Sequence, residues 1–272
     1  MGKSSDKTYS WKNRDKNLAE IPRFHRLTKM WYRTNDSLHV RRVTALTESI
    51  LPVAKEAYPN LNVGLALALA VHHEDIEIEP KVGDVPFQYK LLMGENKLSE
   101  LKQKEIMAAE VLSRNYPKRV KFYGKWYNLR DVYFHAIFKD CLEAQLVSAM
   151  ADKPDAYGEA THELLAGNIV FLEPRDNYEK KVFNQLPILY PLIRNMFRKK
   201  FWNMHPFLVP RLNIPVMTIA ELFEMGEITR RPHTLETIAW NTGDPMYEKW
   251  KRVTVENFGV EPLIRQTEFT PI

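Results

Sequence analysis

Cysteine is almost missing from this chain of 272 residues: Cys141 stands alone, so no disulfide can form within it. A fold without internal cross-links fits a reducing compartment, and a cytoplasmic location is the expectation. Glycine is sparse at 10 residues, and no glycine-rich loop of the phosphate-cradling kind occurs. No apolar run approaches the roughly 20 residues needed to span a bilayer, and the N-terminus lacks a signal-like apolar core. No membrane association is therefore expected. Internal repeats and low-complexity tracts are absent. So is any alternating apolar pattern able to support a sheet of useful size. The net charge of +5 is modest. Much of the excess sits at the two chain ends and between Arg194 and Lys200, a weak basis for nucleic-acid binding. No stable nucleic-acid complex is expected, whereas a small phosphorylated ligand suits the charge.

What is present is helical periodicity, and the fold class it predicts is all-α. Residues 1–20 read as a mobile or loosely docked basic arm, with Tyr9 and Trp11 as its few apolar groups. A helix is predicted from about Pro22, carrying Phe24, Leu27, Met30 and Trp31. Asp36 or Ser37 is placed as an N-cap. The following helix spaces His39, Val43, Leu46, Ile50, Val53 and Ala57 on one buried stripe, with Pro52 expected to bend it or end it early. A lone histidine on such a stripe is more often a hydrogen-bonded core residue than a ligand. Residues 97–115 read as an amphipathic helix ending before Pro117. Arg119 to Tyr127 reads as a hairpin or a basic aromatic loop, with Phe122 and Trp126 packing on the core. A long helix is predicted from Asn128 to about Lys153. Its stripe of Val132, His135, Phe138, Leu142, Gln145 and Ala149 is continued by Asp152, near the helix end or in a kink. Tyr178 to Met204 is helical and aromatic, and further short helices are predicted over 217–225 and within 235–258.

One stretch breaks the apolar logic. The uncharged run Val63 to Val71 reads as a buried helix, predicted to continue to about residue 77, and it delivers His72-His73-Glu74-Asp75 directly into the interior. Buried ionisable groups are costly unless paired or metal-bound. On a continuous helix His73 and Glu77 share a face, while His72 lies about 100° away. A proline-bounded loop with Gly83-Asp84 follows, a common place for substrate-binding groups. A plain polar helix end and a solvated loop would produce the same pattern. Two imidazoles and two carboxylates, if gathered, suit a divalent transition metal.

Three stretches together resemble the HD-domain metal-dependent phosphohydrolases, and within them the small 5′-deoxynucleotidases acting on deoxynucleoside monophosphates. They are Asn35-Asp36-Ser37-Leu38-His39; His72 to Glu77 with Gly83-Asp84-Val85-Pro86; and Ala151-Asp152-Lys153 with Ala156-Tyr157 and Glu163 to Asn168. The resemblance covers about residues 21–175. It implies an HD-domain helical bundle there, and residues 176–272, outside the resemblance, are expected as a helical C-terminal extension packed on the core. It implies one divalent metal per subunit (Mn, Co, Fe or Zn) on His39, His73, Glu74 and Asp152. Glu77 would act as general acid or orient water, and Asp84 would lie near the sugar. Arg23 and Arg26 are assigned to the phosphate by position, and His72 and Asp75 to positions behind the ligands. Glu74 stands where the family has aspartate, so Asp75 is the alternative ligand. The loop from Glu77 to Asp84 is a little longer than usual, and no Arg-Trp pair occurs in the helix before His39. The implied activity is release of phosphate from deoxynucleoside monophosphates. Removal of triphosphate or pyrophosphate from a nucleoside triphosphate is the alternative, and a binding protein without catalysis is the third. Related enzymes are often homodimers. The aromatic segment Phe183 to Phe207 could be a subunit surface or a lid.

Overall fold

A computed structural model describes residues 9–24, 35–85, 90, 92–165, 171, 174, 177–202, 204 and 205. The architecture is all-α, with one small hairpin. Its centre is α3 (Val63–His72), whose Ala66, Leu67, Ala68, Leu69 and Ala70 are all buried. Alternating Ala and Leu lets neighbours approach closely from every side. Around it pack α2 (Asp36–Ala57), α5 (Leu129–Phe138), α6 (Leu142–Val147) and the hairpin β1 (Arg119–Phe122) and β2 (Lys125–Asn128). Asn62 caps α3 by accepting from Leu65 N–H and also accepts from the Tyr127 hydroxyl. Tyr127 can reach it only because Gly64 is bare: a Cβ there would collide with the tyrosine ring oxygen. The hairpin turns at Tyr123-Gly124, both with positive φ (48° and 77°), as a two-residue turn requires. Phe122 packs partly on the core, but Trp126 is 61% exposed, contrary to expectation, because it faces outward beside Lys121.

The second helix runs its predicted course, with two corrections. Asn35 is the N-cap, accepting from Leu38 N–H at 3.1 Å, while Asp36 is turned inward and buried. Pro52 neither ends nor shortens the helix, which continues to Ala57. The ring lies on the exposed face, where water can satisfy the freed carbonyl.

The N-terminal segment is not loose where it is described. Trp11–Asn13 and α1 (Arg14–Ala19) dock through buried Leu18 and Arg14. Residues 21–24 form a bend and a turn, not a helix start, because the Phe24 N–H is held by Asp84. The rest of that predicted helix, with Trp31, lies outside the described residues. Helix α4 (Glu95–Asn115) matches its expected span.

The long helix predicted from residue 128 is broken at Lys139, which takes the left-handed conformation (φ 52°, ψ 37°). The break is stitched by Gln145, whose amide donates to the Lys139 carbonyl at 2.9 Å. After α6 the chain widens into a π-helical turn, Ser148–Asp152, and then α7 (Lys153–Leu165). Pro154 cannot donate to the preceding turn, and His205 takes the Met150 carbonyl instead, with Nε2 2.7 Å away. Tyr178–Val182, α8 (Phe183–Leu189), Pro191–Phe197 and α9 (Lys199–Trp202) complete the described chain. Phe183, Leu186, Ile193, Phe197 and Trp202 join the same hydrophobic core as α2 and α3. The chain from 178 to 202 is thus packed on the core of the bundle. The helices predicted beyond 205 lie outside the described residues. Among the described residues no helix is long and apolar enough to cross a membrane.

Candidate metal centre

The four residues singled out in sequence converge. Helix α2 supplies His39 one turn after its N-cap. The turn ending α3 supplies His73 and Glu74, and the π-helical turn supplies Asp152. One ligand atom from each lies within 4.8 Å of all the others. His39 Nε2 is 3.2 Å from Glu74 Oε1 and 3.5 Å from Asp152 Oδ1. His73 Nε2 is 3.3 Å from both His39 Nε2 and Glu74 Oε1. All four are buried. Helix α3 ends at His72, and residues 75–78 tighten into a 3₁₀ turn, so the continuous helix predicted to residue 77 does not form. That tightening separates Glu74 from Asp75. Glu74 faces the histidines, whereas Asp75 turns away to Arg14, His72 and Tyr133. His72 and Asp75 thus belong to a buried network of their own.

The hydrogen bonds behind the histidines decide what the cluster can hold. His73 Nδ1 is 2.8 Å from the Ala70 carbonyl, which can only accept, so Nδ1 carries the proton. His39 Nδ1 faces the Asp155 carboxylate at 2.7 Å. Each ring therefore aims the Nε2 lone pair inward, against the other lone pair and two carboxylates. With both imidazoles neutral, four acceptors converge, an arrangement that repels itself unless a cation, either a metal ion or a proton on Nε2, sits inside. The electrostatics agree. Burial and Arg23 press the His39 pKa down, yet Asp152, Asp155 and Glu74 outweigh them and raise it well above the usual histidine value. Burial raises Glu74 and Asp152, but the histidines, and Lys153 for Asp152, hold both well below the ordinary carboxylate range. The donor set fits a divalent transition metal.

A second convergent group, His39 with Asp155 and Glu159, already has its cation. The Arg42 guanidinium donates to Asp155 through Nε at 2.8 Å and Nη2 at 3.1 Å, and also pairs with Glu159. Against the opposing effect of burial, Arg42 and His39 hold Asp155 down at about 2.

Beside the cluster lies a cavity of about 280 Å³. Glu77 lines it; its Oε2 is buried with no hydrogen-bond partner among the described residues. Burial first, then Glu74, Asp36 and Asp84, raises its pKa well above the usual carboxylate value. Asp84 is buried, accepting from the Phe24 N–H at 2.7 Å and from Arg23 at 3.4 Å. Arg23 faces four carboxylates: Glu159 at 3.3 Å, Asp84 at 3.4 Å, Asp36 at 3.5 Å and Glu74 at 3.6 Å. Arg26 lies outside the described residues. Sequence reasoning missed Lys90, Lys139 and Lys153, which line the cavity, and Arg42 behind His39. Arg42, at i+3 from His39, and the 3–4 spacing of Asp152, Asp155 and Glu159 were the available signals. Nothing in sequence brought the lysines together.

Such a bundle, with two histidines and two carboxylates gathered from three elements beside a cavity, is HD-like in fold. More particularly, a family model described as "5'-deoxynucleotidase YfbR-like" matches residues 16–201, and the chain belongs to that family. The match runs past residue 175, the limit of the resemblance read in sequence, to residue 201. No curated protein matches the chain.

Proposed function

We propose that this protein is a metal-dependent 5′-nucleotidase that releases phosphate from deoxynucleoside monophosphates. The single observation that carries the reading is the convergence of His39, His73, Glu74 and Asp152 beside a cavity lined with cations. It rests also on membership of the 5′-deoxynucleotidase family. A divalent transition metal on these four residues would supply Lewis acidity toward a phosphoryl oxygen and acidify water for attack. The chain's own residues do the rest. Asp155 and the Ala70 carbonyl hold the two imidazoles in the tautomer that points Nε2 inward. As water's oxygen bonds to phosphorus, the bond to the nucleoside O5′ breaks. Glu77, whose carboxyl burial and the neighbouring carboxylates push toward the protonated form, is the group in the cavity that would give a proton to that leaving oxygen. Asp84, fixed by Arg23 and the Phe24 N–H, shapes the sugar end of the cavity.

The test is incubation of the purified protein with Mn or Co and a panel of deoxynucleoside mono- and triphosphates. Inorganic phosphate from the monophosphates is expected. Triphosphate or pyrophosphate from the triphosphates would move the activity to the anhydride bonds. No product with any metal would leave a binding protein. His39→Ala and Asp152→Ala should lose bound metal and turnover while keeping the helical circular dichroism spectrum.

A further inference from the structure

Lys139 ends α5 in the left-handed conformation, with φ 52° and ψ 37°. Glycine or asparagine is the ordinary choice there, because a longer side chain crowds the backbone. An outlier of this kind points to a use for the side chain. The backbone around it is well tied: its N–H donates to the His135 carbonyl at 2.9 Å, and its own carbonyl accepts from Gln145. The side chain, by contrast, lines the cavity beside the metal centre.

The cavity's other cations are engaged. Arg23 faces four carboxylates. Lys90 pairs with Glu105 at 3.0 Å, Lys153 with Asp152 at 2.6 Å, and Lys102 lies over the Phe138 ring at 4.4 Å. Lys139 makes no ion pair among the described residues. Burial and Lys153, then Lys90, oppose its charge, and Asp152 and Glu74 offset them only in part. Ammonium groups gathered in one partly closed space repel until an anion joins them.

We infer that Lys139, with Lys153 beside it, is the anion-holding group of the cavity and takes the phosphate of the nucleotide. This rests on the phosphohydrolase reading and relocates the phosphate role that sequence position gave to Arg23, whose guanidinium is saturated by carboxylates. A phosphate dianion is the anion that an ammonium group without an ion pair, beside such a cluster, would neutralise.

The discriminating variant is Lys139→Asn, which removes the charge but suits the left-handed backbone, so it should unfold at the same or a higher temperature. Manganese-loaded wild type and variant are titrated calorimetrically with inorganic phosphate, and KM and kcat are measured on the deoxynucleoside monophosphates. The variant is expected to bind phosphate about tenfold more weakly or worse, with KM rising in step and kcat changing less. Lys139→Arg should recover part of the loss. Phosphate affinity and KM within twofold of wild type would overturn the inference, as would a wild type that binds no phosphate. The two readings fail separately. Lysine-dependent phosphate binding without hydrolysis of any nucleotide sinks the nucleotidase alone. Hydrolysis indifferent to Lys139 sinks only the anion site.

Discussion

At the scale of single residues, the support behind His39 matters as much as His39 itself. Asp155 fixes the ring through Nδ1, and Arg42 fixes Asp155 with two hydrogen bonds. Partners of this type typically contribute 10- to 100-fold to metal affinity. Asp155→Asn should therefore weaken manganese binding by about that factor while leaving the four ligands in place. Titration calorimetry with the metal alone reads it, and an unchanged dissociation constant would show that Asp155 merely fills space. His39 and Asp152 were legible in sequence because a histidine and a carboxylate each continue an apolar helical stripe. Glu74 and Asp75 were not separable, since adjacent residues differ in direction only once the backbone is known. The 3₁₀ turn that sends one to the cluster and the other to Arg14 has no periodic signature.

At the scale of elements, the informative feature is the widened turn Ser148–Asp152. Pro154 and the π-helical turn together place Asp152 toward the cluster, and His205 satisfies Met150 from a distant part of the chain. Burial holds His205 at a pKa of about 4, against 6.5 for the free side chain. Above pH 6.5 both folded and unfolded chains carry it neutral. As pH falls below 6.5 the unfolded chain takes up a proton that the folded chain refuses, and the loss is complete near pH 4. The contribution is roughly 3 kcal/mol, so stability should fall across that window. His205→Gln keeps a donor for the Met150 carbonyl and should flatten the slope. Urea unfolding at pH 7, 5.5 and 4.5 measures it, and an unaltered slope would assign the acid sensitivity elsewhere. The predicted helix over 128–153 had its buried face right at Val132, Gln145, Ala149 and Asp152 but not at Phe138, which is 41% exposed, and it missed the breaks. Apolar periodicity passes through Lys139 without interruption, and only the Gln145 bond to its carbonyl shows where the axis changes.

At the scale of the whole molecule, the described N-terminal residues Trp11 to Ala19 act as a fastening. Arg14 reaches Asp75 through Nε at 2.7 Å and also bonds the Val71 carbonyl, so α1 is tied to the end of α3 next to the metal centre. Arg14 is 8% exposed and Asp75 is fully buried. Removing one partner of a buried pair leaves an uncompensated charge, at a cost of about 3–5 kcal/mol. Arg14→Met should lower stability by that amount in denaturant unfolding. A loss below about 1 kcal/mol would mean the segment is held only as loosely as a surface ion pair would hold it.

Apolar spacing alone determined that this chain is helical and that an uncharged run carries His73 and Glu74 inward, because burying a nonpolar stripe admits few alternatives. The tertiary structure alone decided which carboxylate meets the histidines, which cations are spent on ion pairs, and that Lys139 lines the cavity with no ion pair among the described residues. Those outcomes depend on side chains distant in sequence meeting in space, and on backbone turns whose residues follow no period.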